Sequence, residues 1–394
     1  LPTRRRDGNG IIPRMPASSA AVSKSRGSHA ASPYKDRLAR LRSLAQKQNL
    51  NHFLVTNPLD VGYLTGFFGG DSYLLVSPNA ATVLTDGRYT EELEPVKPLA
   101  SIYVRKKGMP EAVAEVFSAT RVDRCGYQAE HLTVKDVEDI TKALGKGPQN
   151  RLVPTKMLVQ TLRVIKDAAE IALIQKAVKL QEEALKATLK QIKVGQTEME
   201  VAAILEYEMK VRGSSKPGFE TIIAAKANGS LPHYRPSEKV KVTAGQPLLI
   251  DWGAVYQGYQ GDMTRTFSMG KWPKKIAEIY KIVRDAQEAS AAALAPGKMC
   301  HEIDRIARDI IEDAGYGEQF DHGLGHGLGI SKEPPWLNPK YPDAPLEVGM
   351  VCTVEPGIYL PGVGGVRIED QYVITEKGAK NFCTLPKDME WATL

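Results

Sequence analysis

The chemistry in this chain is concentrated in three stretches of its carboxy-terminal half. The first runs from Leu248 to Phe267: apolar Leu248–Ile250 leads into Asp251, Gln257-Gly258 marks a turn, and the β-rich stretch from Tyr259 carries Asp262 on the way out. It reads as a hairpin of two strands. The two Asp are eleven residues apart. With an even number of residues in the loop, both carboxylates leave the same face, opposed or one diagonal apart, with roughly 4.5–8 Å between β-carbons. Carboxylates that close raise each other's pKa unless positive charge lies between them. Two solvated Asp bracketing a turn would show the same spacing, so this hairpin alone does not decide.

The second stretch, Asp321-His322-Gly-Leu-Gly-His326-Gly-Leu-Gly329, interleaves two His with four Gly. Side chains are absent there wherever the backbone must approach something closely. The third contains two apolar strands with an acid in each, Val351–Tyr359 with Glu355 and Val363–Asp370 with Glu369. Glu355 and Glu369 are expected to oppose each other across a five-residue Leu360–Gly364 loop. Buried carboxylates are costly unless paired or metal-bound. Asp251, Asp262, Glu355 and Glu369 with a neutral His326 carry a charge of −4, which two divalent cations balance. Hard oxygen ligands with a single imidazole favour Mn²⁺, Co²⁺ or Zn²⁺ over thiolate-loving metals, and Mn²⁺ is the expected ion. Acids on solvated edge strands are the structural alternative, and it has to account for both pairs and His326 together.

The elements that position these residues follow from periodicity. Lys35–Gln48 is an amphipathic helix with Leu38, Leu41 and Leu44 on one side. Strands are expected at 52–56, 73–77, 82–85, 101–105 and 124–127, with helices at 110–119 and 136–144. Residues 34–146 therefore alternate strand and helix as one α/β domain. Gly145–Asn150 reads as a linker, and the boundary is drawn at 155/156. The second domain, 156–394, opens with helices 168–192 and 197–211 and a strand at 220–226, and has a second helix pair at 274–294 and 300–313. Val194-Gly195-Gln-Thr-Glu-Met-Glu200 and Pro296-Gly297-Lys-Met-Cys-His-Glu302 match at an offset of 102, and Gly213 and Gly315 end the two helices that follow. One repeat of that length predicts a domain built from two related halves with the functional site between them, unless two amphipathic helices match by chance.

In order and approximate spacing, Asp251-x-Gly-Ala, Gly-Asp262-Met-Thr-Arg-Thr, Gly325-His326-Gly, Val-Glu355-Pro-Gly and Val-Arg-Ile-Glu369-Asp370 resemble the pita-bread metallopeptidases. This is the family of Xaa-Pro dipeptidase (prolidase), aminopeptidase P, methionine aminopeptidase and creatinase. Asn57-Pro-Leu-Asp-Val-Gly-Tyr-Leu-Thr-Gly66 and Thr85-Asp-Gly-Arg-Tyr89 are similar to the amino-terminal domain of prolidases and creatinases. The resemblance covers roughly residues 34–394. It implies an α/β (α+β) chain in which a creatinase/prolidase-like α/β domain precedes a pseudo-twofold pita-bread catalytic domain. It further implies that Asp251 chelates one metal, that His326 and Glu355 bind the other, and that Asp262 and Glu369 bridge both. A hydroxide held between the cations would attack the peptide bond, with Glu355 as base or proton shuttle. By the same resemblance His233 contacts substrate near the scissile nitrogen, His322 is a second active-site His, and Tyr359 and Arg367 shape and brace the site. Creatinase works without metal, and the filled ligand set argues against that branch.

Two positions depart from the pattern. After His326 the chain is one residue short, and Lys332 precedes Glu333 where the family has a His that holds the substrate carbonyl. Prolidases also tend to place an Arg before the Val-Glu-Pro-Gly strand to hold a dipeptide's carboxylate, and Lys340 is the available cation here. The expected activity is hydrolysis of the bond before a carboxy-terminal proline. Aminopeptidase P action on Xaa-Pro-Yaa peptides is the first alternative, and a non-catalytic pita-bread binding protein the second. The expected partners are a small peptide with proline in second position and a second copy of the chain.

Composition bounds the remainder. At 394 residues, 42% hydrophobic and 25% charged, the chain is an ordinary globular protein of two or more domains. It has no run of about 18 apolar residues, so no membrane helix is expected. The net charge of +6 suggests nucleic acid, but residues 1–33 hold Arg4, Arg5, Arg6, Arg14, Lys24 and Arg26 against Asp7, leaving +1 for the body. Nucleic acid is therefore not an expected partner. The Ser-, Ala-, Gly- and Arg-rich tail has little to bury and is expected to be disordered. Its composition also suits an organelle transit peptide, although the opening Leu1 and internal Met15 fit a misassigned start better. Cys125, Cys300, Cys352 and Cys383 show no metal or disulfide spacing and read as buried thiols of a cytoplasmic protein. Deleting residues 1–33 is expected to leave turnover and melting temperature unchanged within error, and a large loss of either would contradict this reading.

Overall fold

A computed structural model describes residues 33–145, 151–340 and 344–394. The basic tail up to residue 32 and linker residues 146–150 lie outside the described residues. The amino-terminal half is a six-stranded sheet. Its strands are β1 (His52–Val55), β2 (Tyr73–Val76), β3 (Ala81–Thr85), β4 (Ser101–Val104), β5 (Arg124–Gln128) and β6 (Arg151–Thr155), in the order β4-β3-β2-β1-β5-β6. The central strand β1 is buried along its whole length, as the unbroken apolar run Phe53–Val55 requires of a strand covered on both faces. Helices α1 (Pro33–Lys47), α2 (Pro58–Thr65), α3 (Met109–Thr120), α4 (Val134–Leu144) and α5 (Leu158–Arg163) pack around it.

Three of these elements were not expected. Asn57-Pro58 reads as a strand stop, but it also starts α2: the Asn57 side chain accepts the Leu59 N–H at 2.9 Å, and Pro58 occupies the first turn. Gly66, at φ 81°, ends the helix. Strand β6 carries Pro154 and pairs only with β5, at the sheet edge where a missing N–H is tolerated. The third, α5, has six residues, too few for a helical period to show in the sequence.

The second half contains two helix pairs, α6 (Ala168–Leu189) with α7 (Glu198–Val211) and α8 (Lys274–Ala292) with α9 (Cys300–Asp313). The repeat seen in the sequence is structural. The N–H of Gly195 donates to the Val242 carbonyl at 2.9 Å and that of Gly297 to the Leu346 carbonyl at 2.8 Å. Both glycines have positive φ, 98° and 81°, and each begins the turn into a helix of 14 residues. The strands of this half are β7 (Ile222–Ala225), β8 (Pro247–Trp252), β9 (Val255–Tyr256), β10 (Tyr259–Gln260), β11 (Met263–Ser268), β12 (Gly325–Leu328), β13 (Lys332–Leu337), β14 (Val351–Val354), β15 (Gly357–Leu360), β16 (Gly364–Arg367), β17 (Asp370–Thr375) and β18 (Gly378–Asn381). They form a β11-β8-β7 sheet, a β13-β12-β14-β17-β18 sheet, and the two hairpins β9–β10 and β15–β16. Backbone and side-chain bonds join the halves: Glu369 N–H donates to Thr264 O at 3.1 Å, and Thr266 Oγ1 to Arg367 O at 3.1 Å.

A buried ion network connects the amino-terminal half to the catalytic strands. Arg163 of α5 pairs with Asp60 of α2 at 2.6 Å and with Glu333 of β13 at 2.7 Å, and Lys166 holds the other Glu333 oxygen at 2.6 Å. Gln128 of β5 donates to the second oxygen of Asp60 at 2.5 Å and accepts the N–H groups of Thr56 and Asn57. All four charged side chains are at most 3% exposed. Removing one member leaves an uncompensated charge in a dry site, which is more damaging than losing the pair. Arg163→Met is expected to lower unfolding stability by about 3–5 kcal/mol, measured by denaturant titration. A loss below about 1 kcal/mol, the range of exposed pairs, would show the network to be incidental.

Candidate metal centre and substrate cavity

Register brings the acids together. In the β8–β11 ladder Asp251 pairs with Thr264 and Trp252 with Met263, so Asp262, just before β11, lies one diagonal from Asp251 on the same face. The β14–β17 ladder ends at the pair Val354–Asp370, and the β15–β16 ladder resumes at Gly357–Arg367. One register serves both ladders, so Glu355 and Glu369 meet in the gap between them. The loop beyond is shorter than expected, because Leu360 and Gly364 pair with each other and only residues 361–363 turn. His326 is on β12, where the flanking glycines are needed for close approach. A β-carbon on Gly325 would fall 2.1 Å from the Thr353 carbonyl oxygen, and one on Gly327 2.2 Å from that of Pro334.

Asp262, His326 and Glu369 each present one ligand atom, and these atoms lie within 4.8 Å of one another. His326 Nε2 is also 3.3 Å from Glu355 Oε1. Four buried atoms at this point have no hydrogen-bond partner among the described residues: Asp251 Oδ1, Asp262 Oδ2, His326 Nε2 and Glu369 Oε1. Buried polar atoms are rarely left unpaired, and this set of oxygens and one imidazole nitrogen suits divalent cations. The remaining atoms of the same groups are held by the protein. Arg367 Nη2 donates to Asp251 Oδ2 at 2.6 Å, and Thr264 Oγ1 to Glu369 Oε2 at 2.7 Å. His326 Nδ1 donates to Gly327 O at 3.1 Å, which leaves the Nε2 lone pair facing the acids.

The electrostatics show the missing positive charge. Burial, followed by the charge of Asp251, pushes the Asp262 carboxyl well above its usual range. Burial and then Asp262 do the same to Glu369. Burial also raises Asp251, against the pull of Arg367. Glu355 goes the other way: burial opposes its charge, but the pull of His326 and His322 in their charged forms, and then of Lys332 and Arg367, holds it below the ordinary carboxylate value. Burial lowers His326 and His322, against the opposing pull of Glu355.

Four of the five residues line a 480 Å³ cavity, and Glu369 lies behind them against Asp262 and His326. Asp251, Asp262, His326, Glu355, His322, Arg367 and His233 all line it, with His233 exposed at the rim. Tyr359 stands behind the wall, accepting from Arg367 Nη1 at 2.8 Å and donating to His322 Nε2 at 2.9 Å. Burial pushes its hydroxyl up to about 12, so it remains protonated. Lys340 does not line the cavity: it is exposed beyond the end of β13. The cation in the wall is Lys332, at the start of β13, with Trp336 further along the same strand. Thr264 and Thr353 were not foreseen either. Thr353 Oγ1 donates to Glu355 Oε1 at 3.0 Å and accepts the His326 N–H at 3.1 Å. Each Thr is two residues from an acid, so strand alternation was the signal that pointed to them.

Comparison with known proteins gives the class. Residues 172–376 match the model of metallopeptidase family M24, and residues 37–165 that of the creatinase/prolidase N-terminal domain. A Xaa-Pro dipeptidase of Pyrococcus furiosus is 36% identical over 359 residues, covering 90% of this chain and 99% of that protein. Among solved structures, a Xaa-Pro dipeptidase from Bacillus anthracis superposes with a TM-score of 0.86 at 34% identity, covering 90% of this chain and 99% of that one. An X-Pro aminopeptidase from Thermotoga maritima gives 0.82 at 33% identity, covering 89% and 98%. The chain belongs to metallopeptidase family M24. Within that family it is a prolidase-like peptidase of mixed α/β fold, with a creatinase-like first domain and a pita-bread catalytic domain. Family membership implies divalent metal ions. Among the described residues no helix is long and apolar enough to cross a membrane.

Raised carboxyl pKa values stabilise the metal-free fold fully below the unfolded values of about 4. That contribution is lost as pH rises toward the folded values. Cations replace these protons. The melting temperature of metal-free protein is expected to fall as pH rises above about 4, and the rise on adding Mn²⁺ to grow in the same direction, with protons released to the buffer. A pH-independent Mn²⁺ shift without proton release would contradict this.

Proposed function

We propose that the protein is a dinuclear Xaa-Pro dipeptidase that hydrolyses the bond before a carboxy-terminal proline. In this reading Asp251, Asp262, His326, Glu355 and Glu369 would hold two cations, Asp251 on one side, His326 and Glu355 on the other and Asp262 and Glu369 shared, with Mn²⁺ as the physiological ion ahead of Co²⁺ or Zn²⁺. The single observation that carries it is the set of four unpartnered buried ligand atoms, three on residues that line the cavity and the fourth on Glu369, grouped with Asp262 and His326. When bound, the cations supply an activated water and polarise the scissile carbonyl.

The protein's own groups do the remainder. Glu355, held ionised by its neighbours, accepts the proton of the attacking water and delivers it toward the proline nitrogen. His233 at the rim contacts substrate beside that nitrogen. The chain Arg367–Tyr359–His322 fixes a neutral imidazole at the cavity wall, where it orients the peptide. Phe219, Pro232 and Trp336 offer an apolar surface suited to a pyrrolidine ring. A peptide bond to proline has no N–H, and a site that works through the carbonyl and the ring nitrogen does not require one.

Action on Xaa-Pro-Yaa peptides is the second reading, favoured by the likeness to the Thermotoga aminopeptidase. Four buried thiols, none joined in a disulfide, support a reducing cytoplasm. A homodimer is the expected assembly, checked by the mass in solution. With Mn²⁺ supplied, Ala-Pro, Leu-Pro and Met-Pro are expected to be cleaved, and Ala-Ala far more slowly. Asp262→Asn or Glu369→Gln should abolish turnover and bring bound metal below two per chain. Faster cleavage of Ala-Pro-Ala than of Ala-Pro would replace the dipeptidase reading with the aminopeptidase one.

A further inference from the structure

Lys332 is the first residue of β13, next to Glu333. Successive strand residues face opposite sides. Glu333 is turned into the buried network and clamped there by Arg163 and Lys166 at 2.7 and 2.6 Å. Its neighbour is thereby turned the other way, into the cavity wall. The Lys332 ammonium stands 5.9 Å from the Phe219 ring, across from the segment that leads into β7. The other strong cation of the wall, Arg367, is already engaged by Asp251, Tyr359 and Thr264. Glu220 at the rim is paired with Arg235 at 3.0 Å. Lys332 makes no hydrogen bond or ion pair with any described side chain, although it lies in the field of Asp262, Glu355, Glu369 and Asp251.

Charge balance then indicates what this ammonium meets. Two divalent cations would offset the four carboxylates, so Arg367 and Lys332 both add positive charge; Arg367 is held by Asp251, Tyr359 and Thr264, and Lys332 is the cation without a side-chain partner among the described residues. An anionic group on the substrate would supply that partner. A dipeptide offers one, its terminal carboxylate, beside the proline ring. Resting on the dipeptidase reading above, we infer that Lys332 anchors the carboxylate of the substrate and so selects peptides that end at proline. Lys340, on the outside of the molecule, has no part in this. The device also gives the buried network a role in specificity, because Arg163 and Lys166 set the direction of Lys332 through Glu333.

The test compares acid and amide. In the Mn²⁺-loaded full chain, Lys332→Met is expected to raise KM for Ala-Pro about tenfold or more, the weight of one charge-assisted bond, with kcat little changed. The loss on Ala-Pro amide should be far smaller, and Lys332→Arg should restore most of the preference for the acid. Lys332 is exposed enough that the fold is not at risk, and an unchanged melting temperature checks this. A second readout needs no turnover: by calorimetry, wild type should bind L-proline more tightly than prolinamide, and Lys332→Met should bind both alike. Equal losses on acid and amide, carried in kcat, would overturn the inference and make Lys332 a carbonyl-polarising group. A variant that keeps the acid preference, or a wild type that has none, would also overturn it. If no Xaa-Pro peptide is cleaved but proline binding still depends on Lys332, the anchor stands and the dipeptidase reading fails.

Discussion

Four carboxylates and an imidazole are gathered at one buried point beside the cavity, and the rest of the molecule can be understood from the charge this creates. Without compensation the arrangement is unfavourable: Asp262 and Glu369 are driven toward their protonated forms by burial and by their neighbours. Arg367, Thr264 and Thr353 each satisfy one oxygen of an acid, and the other oxygens of Asp251 and Glu369 remain unpartnered. A protein that needed only stability would gain by replacing such a group with apolar side chains. Retaining it makes sense when cations occupy the site and do chemistry there.

Holding like charges together requires a frame that cannot relax. Here the frame is two β ladders joined by a backbone bond from Glu369 N–H to Thr264 O of β11 and by the Thr266–Arg367 side-chain bond. Its two halves are repeats, and in each a left-handed glycine leads into the second helix with its N–H tied to a distant backbone carbonyl, Val242 in one half and Leu346 in the other, so both sides are fixed in the same way. The braces are also distributed evenly: a Thr two residues from an acid serves each side, Thr264 in one half and Thr353 in the other. Arg367 crosses between them and orders Tyr359 and His322 behind the cavity wall.

Among the described residues the amino-terminal half supplies no group to the cavity lining, yet its buried ions reach to within one residue of it. Asp60, from the Asn57–Gly66 motif, fixes Arg163, and Arg163 fixes Glu333 beside Lys332. Such a link ties the amino-terminal half to the strand that carries Lys332. It also explains why an acid stands inside the apolar helix α2, where it would otherwise only destabilise.

Much of this was legible in the chain itself. The spacing of Asp251 and Asp262 about a turn, the acids inside two apolar strands, the glycines around His326 and the offset of 102 are local patterns, and local patterns survive without coordinates. They were enough for the two-half architecture and for the group of residues that converge. What tertiary structure decided was contact between distant positions. No period in the sequence pairs Arg163 with Glu333, 170 residues away, or Arg367 with Asp251. The sequence offered Lys340 as the cation of the site; in the structure Lys340 is on the surface, and Lys332, next to the clamped Glu333, lines the cavity. Helix α2 was hidden because one Asn-Pro pair both ends a strand and caps a helix, and β6 because a short edge strand needs a neighbour to exist. Side-chain direction and long-range pairing come from packing, and packing is a property of the folded chain as a whole.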